Sequence, residues 1–60
     1  MVVTIKAIDD NHVKNITRWI TQQGFKYPDH YTTMYDNTHK ELRVNCFNLK
    51  LEKLIWERWK

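Results

Sequence analysis

Three histidines and one cysteine are the side chains of this 60-residue chain best suited to hold a metal ion. They are His12, His30, His39 and Cys46. Zinc sites in small domains use pairs of ligands a few residues apart, whereas these four are separated by long and irregular gaps. We therefore expect no metal site and no bound cofactor.

The sequence also contains few residues that could form a catalytic site. Cys46 alternates with apolar residues in a predicted strand, and a buried thiol in such a place is inert rather than nucleophilic. The chain has no Ser and a single Gly, so it offers neither a serine nucleophile nor a glycine-rich phosphate loop. We expect no enzymatic activity and no small-molecule substrate.

Tryptophan is abundant for so short a chain, with three residues in 60. At 100° per residue, Leu51 and Ile55 mark the core side of a predicted C-terminal helix, while Trp56 lies about 140° from Leu51 and beside Leu49. Trp19 and Trp59 are expected at the edge of the core. Because a small core cannot cover three indoles, we expect an exposed one, and exposed Trp near cations is a common anchor in protein interfaces.

The first functional hypothesis is therefore a protein-binding surface on the C-terminal helix. Its predicted residues are Leu49, Lys53, Trp56, Arg58, Trp59 and Lys60. Trp56 and Trp59 would be the apolar anchors, and the basic residues would supply charge.

The alternative is single-stranded RNA or DNA binding on the sheet face that the helices leave open. This hypothesis assumes that Val3, Ile5, Ala7, Met34, Leu42, Val44 and Cys46 point at the helices. The opposite face would then present Lys6, Tyr31, Tyr35, Arg43 and Phe47, which combine rings for stacking with cations for phosphates. The glycine-containing signature of RNA-recognition sheets is absent from the third strand.

Five elements would position these residues. The apolar patterns predict a strand over Val2–Ile8, a helix from Asp9 to about Gln23, strands over His30–Tyr35 and Glu41–Phe47, and a helix from Asn48. Asp9 and Asn48 are suitable N-caps, and Gly24 is a suitable stop after the first helix. A fourth strand is the alternative for the last segment, because Leu49 and Leu51 also alternate.

The predicted architecture is α+β, in the order β-α-β-β-α, within a single binding domain over residues 1–60. A right-handed crossover would place both helices on one face of a three-stranded sheet, which makes a two-layer sandwich. This arrangement resembles a ferredoxin-like fold that lacks its last strand. A likeness of fold alone implies no function.

Charge and length indicate the kind of partner. The net charge is +3, and the excess of Lys and Arg lies in residues 37–60, which favours an acidic partner, either protein or nucleic acid. A chain this short is marginally stable alone, so a homodimer or another partner is expected to complete it.

Cellular context follows from composition. A lone cysteine excludes an internal disulfide, so we expect an intracellular, cytoplasmic protein. The absence of a long apolar run predicts no membrane partner. Abundant Lys, Asn and Ile with single Ala, Gly and Pro residues indicates an AT-rich genome. We expect a phage or mobile-element accessory protein that modulates or inhibits a larger host protein.

Overall fold

The computed structural model of the chain describes residues 1–59. It contains a three-stranded sheet and two helices, so the predicted α+β class is confirmed. The elements are β1 (Val2–Lys6), α1 (Asp10–Gln22), β2 (Tyr31–Asp36), β3 (Glu41–Cys46) and α2 (Leu49–Trp59). The last segment is a helix, and the alternative of a fourth strand there is wrong. β1 is shorter than predicted, because Ile8 has left the sheet and is 71% exposed.

Capping side chains set where the two helices begin. The Asp9 carboxylate accepts a hydrogen bond from the backbone N–H of His12 at 2.9 Å. At the start of α2 the side-chain oxygen of Asn48 accepts hydrogen bonds from the backbone N–H groups of Lys50 at 2.9 Å and Leu51 at 3.2 Å. Gly24 follows the end of α1 with φ of 94°, a left-handed conformation that favours glycine. These predicted boundaries are confirmed.

The sheet has the strand order β1-β3-β2, and both pairings are antiparallel. β2 and β3 form a hairpin that turns over residues 37–40. Val44 is the centre of the buried face, because it lies opposite Val3 on one side and opposite Thr33 on the other.

A single hydrophobic core fills the space between the sheet and the helices. The fully buried side chains from the helices are Ile16, Ile20, Leu51 and Ile55. They pack against strand residues that all belong to one face of the sheet: Val3, Ile5, Tyr31, Leu42, Val44 and Cys46. Both helices therefore cover that face, and the other face is open.

The predicted orientation of β2 is wrong. Tyr31 lies opposite Cys46 and is 2% exposed, whereas Met34 lies opposite Arg43 on the open face and is 66% exposed. The pattern of β2 is ambiguous because apolar side chains fall on both of its faces. Turning Tyr31 and Tyr35 toward the helices buries the first ring and partly covers the second, in place of one methionine, so this orientation removes more apolar area from water.

Candidate protein-binding surface

The side of α2 that points away from the core carries two large exposed apolar side chains. Leu49 is 81% exposed and Trp56 is 51% exposed, with Lys53 between them. At 100° per residue these three positions fall within about 60° of one another and opposite the buried stripe of α2. We call Leu49, Lys53 and Trp56 the outer face of α2.

A shallow, open groove runs along this surface. Lys50 and Glu52 line it together with the three residues of the outer face. A groove built on one helix cannot surround a small molecule, and binding pockets for such ligands bury most of the ligand surface. Its geometry suits a macromolecular surface laid against the helix. The sequence pattern indicated the anchors of this groove but not Lys50 and Glu52.

Trp59 packs at the edge of the core and does not belong to the outer face. Its ring packs edge-on against Trp19, with ring centroids 6.0 Å apart, and lies 6.2 Å from the ring of His12. Its indole N–H is buried and has no hydrogen-bond partner among residues 1–59. The expectation that Trp19 and Trp59 lie at the edge of the core is confirmed, but Trp59 is then poorly placed to anchor a partner.

Arg58, which was also predicted for this surface, is separated from it. The guanidinium carbon of Arg58 lies 5.1 Å from the centre of the Trp59 ring. By helical geometry Arg58 is about 180° from Leu49, so it does not share the outer face. Lys60 lies outside the described residues.

The aromatic residues predicted for nucleic-acid stacking do not form a platform. Tyr31 is buried, and the Tyr35 hydroxyl donates a hydrogen bond of 2.6 Å to the carbonyl oxygen of Ala7. Both rings lie on the helix-covered side of the sheet because of the orientation of β2. Phe47 is 59% exposed but comes after the end of β3. Among Tyr31, Tyr35 and Phe47 it is the one ring that stays largely exposed.

The cations predicted for the same interface lie next to carboxylates on the open face. Lys6 lies opposite Glu41 across the β1–β3 pair. The guanidinium of Arg43 is 3.4 Å from a carboxylate oxygen of Asp36. Each cation therefore has an acidic neighbour, and the open face offers little net positive charge to a phosphate backbone.

The histidines and Cys46 do not converge on a metal site within residues 1–59. One group there brings possible ligand atoms within 4.8 Å of one another, namely Asp36, His39 and Glu41. His39 Nδ1 is 2.7 Å from Asp36 Oδ2, and Asp36 Oδ1 accepts the backbone N–H groups of Thr38 and His39. The hydrogen bonds from His39 hold the pKa of Asp36 below its ordinary value. The hydrogen bonds of Asp36 and His39 stabilise the turn between β2 and β3, and this role explains why these side chains lie close together.

Cys46 has the buried environment that its sequence pattern predicts. It is 4% exposed, and burial raises the pKa of its thiol above the ordinary value. A protonated, covered thiol is neither a good nucleophile nor a ready metal ligand.

Comparisons with protein-family models, with curated proteins and with solved structures found no match. Among residues 1–59 no helix is long and apolar enough to cross a membrane. The choice of function therefore depends on the geometry of the surfaces described above.

Proposed function

We propose that this protein is a non-enzymatic module that binds a larger protein through the outer face of α2. The observation that carries the proposal is the pair of exposed apolar side chains, Leu49 and Trp56, on one side of a helix whose other side is buried. Exposing a leucine and an indole together is unfavourable in water, and such paired exposure is typical of a surface that another molecule covers. Lys53 between them provides charge beside the apolar contacts.

The spacing of these residues favours docking of α2 into a groove on the partner. Leu49, Lys53 and Trp56 stand at positions i, i+4 and i+7, the pattern by which one helix presents anchors to an apolar groove. Trp is the residue type most enriched among the side chains that dominate binding energy. The partner surface would be apolar where it meets Leu49 and Trp56, with acidic residues placed to meet Lys50 and Lys53.

A module that docks through one face of a helix acts on its partner by occupying a surface. We propose that it modulates or inhibits a larger protein in this way, as an accessory protein of phage or mobile-element type would. The exposed outer face of α2 supports action by covering a surface of the partner. The composition, with abundant Lys, Asn and Ile and single Ala, Gly and Pro residues, supports the phage or mobile-element type.

We further propose that the fold is a ferredoxin-like sandwich that lacks one strand. The sheet order β1-β3-β2 and the placement of both helices on one face support this assignment. The fold positions α2 across the sheet and so turns its outer face to solvent. It says nothing about the partner.

The proposal does not extend to nucleic acid. Stacking requires accessible rings beside unpaired cations, whereas Tyr31 is buried and Arg43 lies against Asp36. Salt dependence separates the two functions, since phosphate contacts weaken steeply with added salt, while apolar docking tolerates moderate salt.

Site-specific photo-crosslinking tests the proposal. A photoreactive phenylalanine analogue at Leu49, on the outer face of α2, should give one defined protein adduct in a lysate of the source organism. The matched control carries the analogue at Met34, which is similarly exposed but lies on the open face of the sheet. The adduct from position 49 should disappear in a Trp56→Ala background and persist after nuclease treatment. Equal, unspecific labelling from both positions, or a nucleic-acid adduct, would overturn the proposal.

A further inference from the structure

The outward edge of β2 carries a row of backbone groups with no partner. The register with β3 and the hydrogen bond from the Phe47 N–H to the His30 carbonyl show that the even-numbered residues of β2 bond to β3. In an antiparallel pair the alternate residues direct both backbone groups to the other side. The N–H and C=O groups of Tyr31, Thr33 and Tyr35 therefore face the free edge, and residues 1–59 offer them no hydrogen bond.

We infer that this edge pairs with the β2 edge of a second copy of the chain, in antiparallel orientation about a two-fold axis at Thr33. In that register Thr33 lies opposite Thr33 of the second copy, and Tyr31 lies opposite the second copy's Tyr35. Each of these pairings is of the kind that exchanges two hydrogen bonds. The ladder then holds six bonds and leaves none of the outward groups of the three residues unpaired. The product is a continuous six-stranded antiparallel sheet.

The side chains of β2 fit the same pairing. Met34, 66% exposed on the open face, comes to lie opposite the methyl-bearing Thr32 of the second copy, so the pairing covers an apolar side chain. Asp36 is the one charged residue of β2. It lies opposite the second copy's His30 rather than opposite another carboxylate, so like charges do not meet.

The other edge of the sheet is less suited to pairing. β1 ends in Lys6, and charged side chains, Lys above all, are the usual protection of an edge strand against unwanted pairing. The side chains of His12 and Trp59 lie beside β1 and share a groove with Lys6. β2 has no Pro and no Lys, and its Tyr and Thr residues strongly favour strand pairing. The structure thus distinguishes β2 as the edge that a second copy meets.

Amide hydrogen exchange, read by NMR on the whole chain, tests this assignment within a single strand. The N–H groups of Thr32 and Met34 bond to β3 and should be protected at every protein concentration. Those of Tyr31, Thr33 and Tyr35 should exchange fast at low micromolar concentration and become protected by about tenfold or more at millimolar concentration. A monomer at millimolar concentration by sedimentation equilibrium, or a dimer whose three edge amides stay unprotected, would overturn the inference.

A proline substitution provides the second arm. In Thr33→Pro the lost N–H is not used inside the monomer, and edge strands tolerate proline at such positions, so the variant should stay folded and become monomeric. Thr33→Val keeps the N–H and should still dimerise. If the proline variant fails to fold, the exchange measurement on the natural chain still decides. Trp56→Ala should dimerise as the natural chain does, which separates this inference from the proposed binding through α2. A Thr33→Pro variant that folds and still dimerises would refute the edge pairing.

Discussion

Trp56 and Trp59 lie three residues apart on the same helix, yet replacing each by alanine should affect a different property, binding for one and stability for the other. Trp56 belongs to the outer face of α2, where half of its surface is exposed. Trp59 packs against Trp19 and His12 at the edge of the core. We expect Trp56→Ala to lose the partner and keep the fold, and Trp59→Ala to weaken the fold.

The magnitudes follow from the areas involved. The exposed half of Trp56 amounts to about 100 Å², which at 25 cal/mol per Å² gives about 2.5 kcal/mol on docking, or about 70-fold in Kd. Its effect on unfolding should stay below about 1 kcal/mol, as for most surface substitutions. Burial of Trp59 is incomplete, so Trp59→Ala should cost about 2 kcal/mol rather than the 3–5 kcal/mol of a fully buried indole. That loss lowers the Tm of a domain this small by about 8–16 °C.

Two measurements on the same pair of variants check this reasoning. Thermal unfolding followed by circular dichroism reports the stability of each variant. Competition against labelled natural chain, for the protein recovered by crosslinking at position 49, reports binding. Trp56→Ala that binds the partner as tightly as the natural chain would refute the docking role of the indole. Trp56→Ala that unfolds as readily as Trp59→Ala would refute the separation of the two residues.

Three further predictions concern the scaffold. The pKa of Asp36 is lowered, so its carboxylate stabilises the folded chain fully above the ordinary aspartate pKa, and this contribution is lost as the pH falls through the lowered value. Over that acid range the Tm should therefore decrease more in the natural chain than in Asp36→Asn. Equal dependence of the Tm on pH in the two proteins would contradict this. Tyr35→Phe removes the 2.6 Å hydrogen bond to the Ala7 carbonyl and should cost about 0.5–1.5 kcal/mol in urea unfolding, whereas an unchanged midpoint would show that the bond contributes nothing. Cys46 should react with a thiol reagent at neutral pH only after unfolding, because burial both covers the thiol and raises its pKa; rapid labelling of the folded chain would show the thiol to be accessible.

The two proposed contacts use different parts of the molecule. The outer face of α2 lies on the side of the helix layer away from the sheet, and the edge of β2 lies along one border of the sheet. A dimer formed through β2 would therefore carry two outer faces, one from each copy. Two linked binding surfaces strengthen attachment to a partner that also presents two sites, so self-association and docking are compatible.

Local features were readable from the sequence alone. Asp9, Asn48 and Gly24 mark helix ends through hydrogen bonds and backbone conformations that involve only their near neighbours. The buried positions Leu51 and Ile55 followed from helical spacing, as did the exposure of Trp56. Each of these properties depends on a few consecutive residues, which is the range over which a sequence pattern carries information.

The orientation of β2 was decided by the tertiary structure. Its sequence places apolar groups on both faces, and a strand turned over by one residue exchanges all of them. The choice depends on what β3 and the helices offer to Tyr31 and Tyr35, including the carbonyl of Ala7, 28 positions away from Tyr35 in the chain. No pattern within the strand contains that acceptor. Because of this single choice, the open face of the sheet lacks the two tyrosines that the nucleic-acid hypothesis placed there.

The helix ends, the core stripes and an outward indole were thus determined by short stretches of sequence. Contacts between distant segments decided three other features. These are the face of the sheet on which the tyrosines lie, the packing of Trp59 against Trp19, and the unpaired edge of β2. The physical reason is that caps and helical stripes are local, whereas strand register, facing and edge exposure depend on the space left by elements that the chain brings together only when it folds.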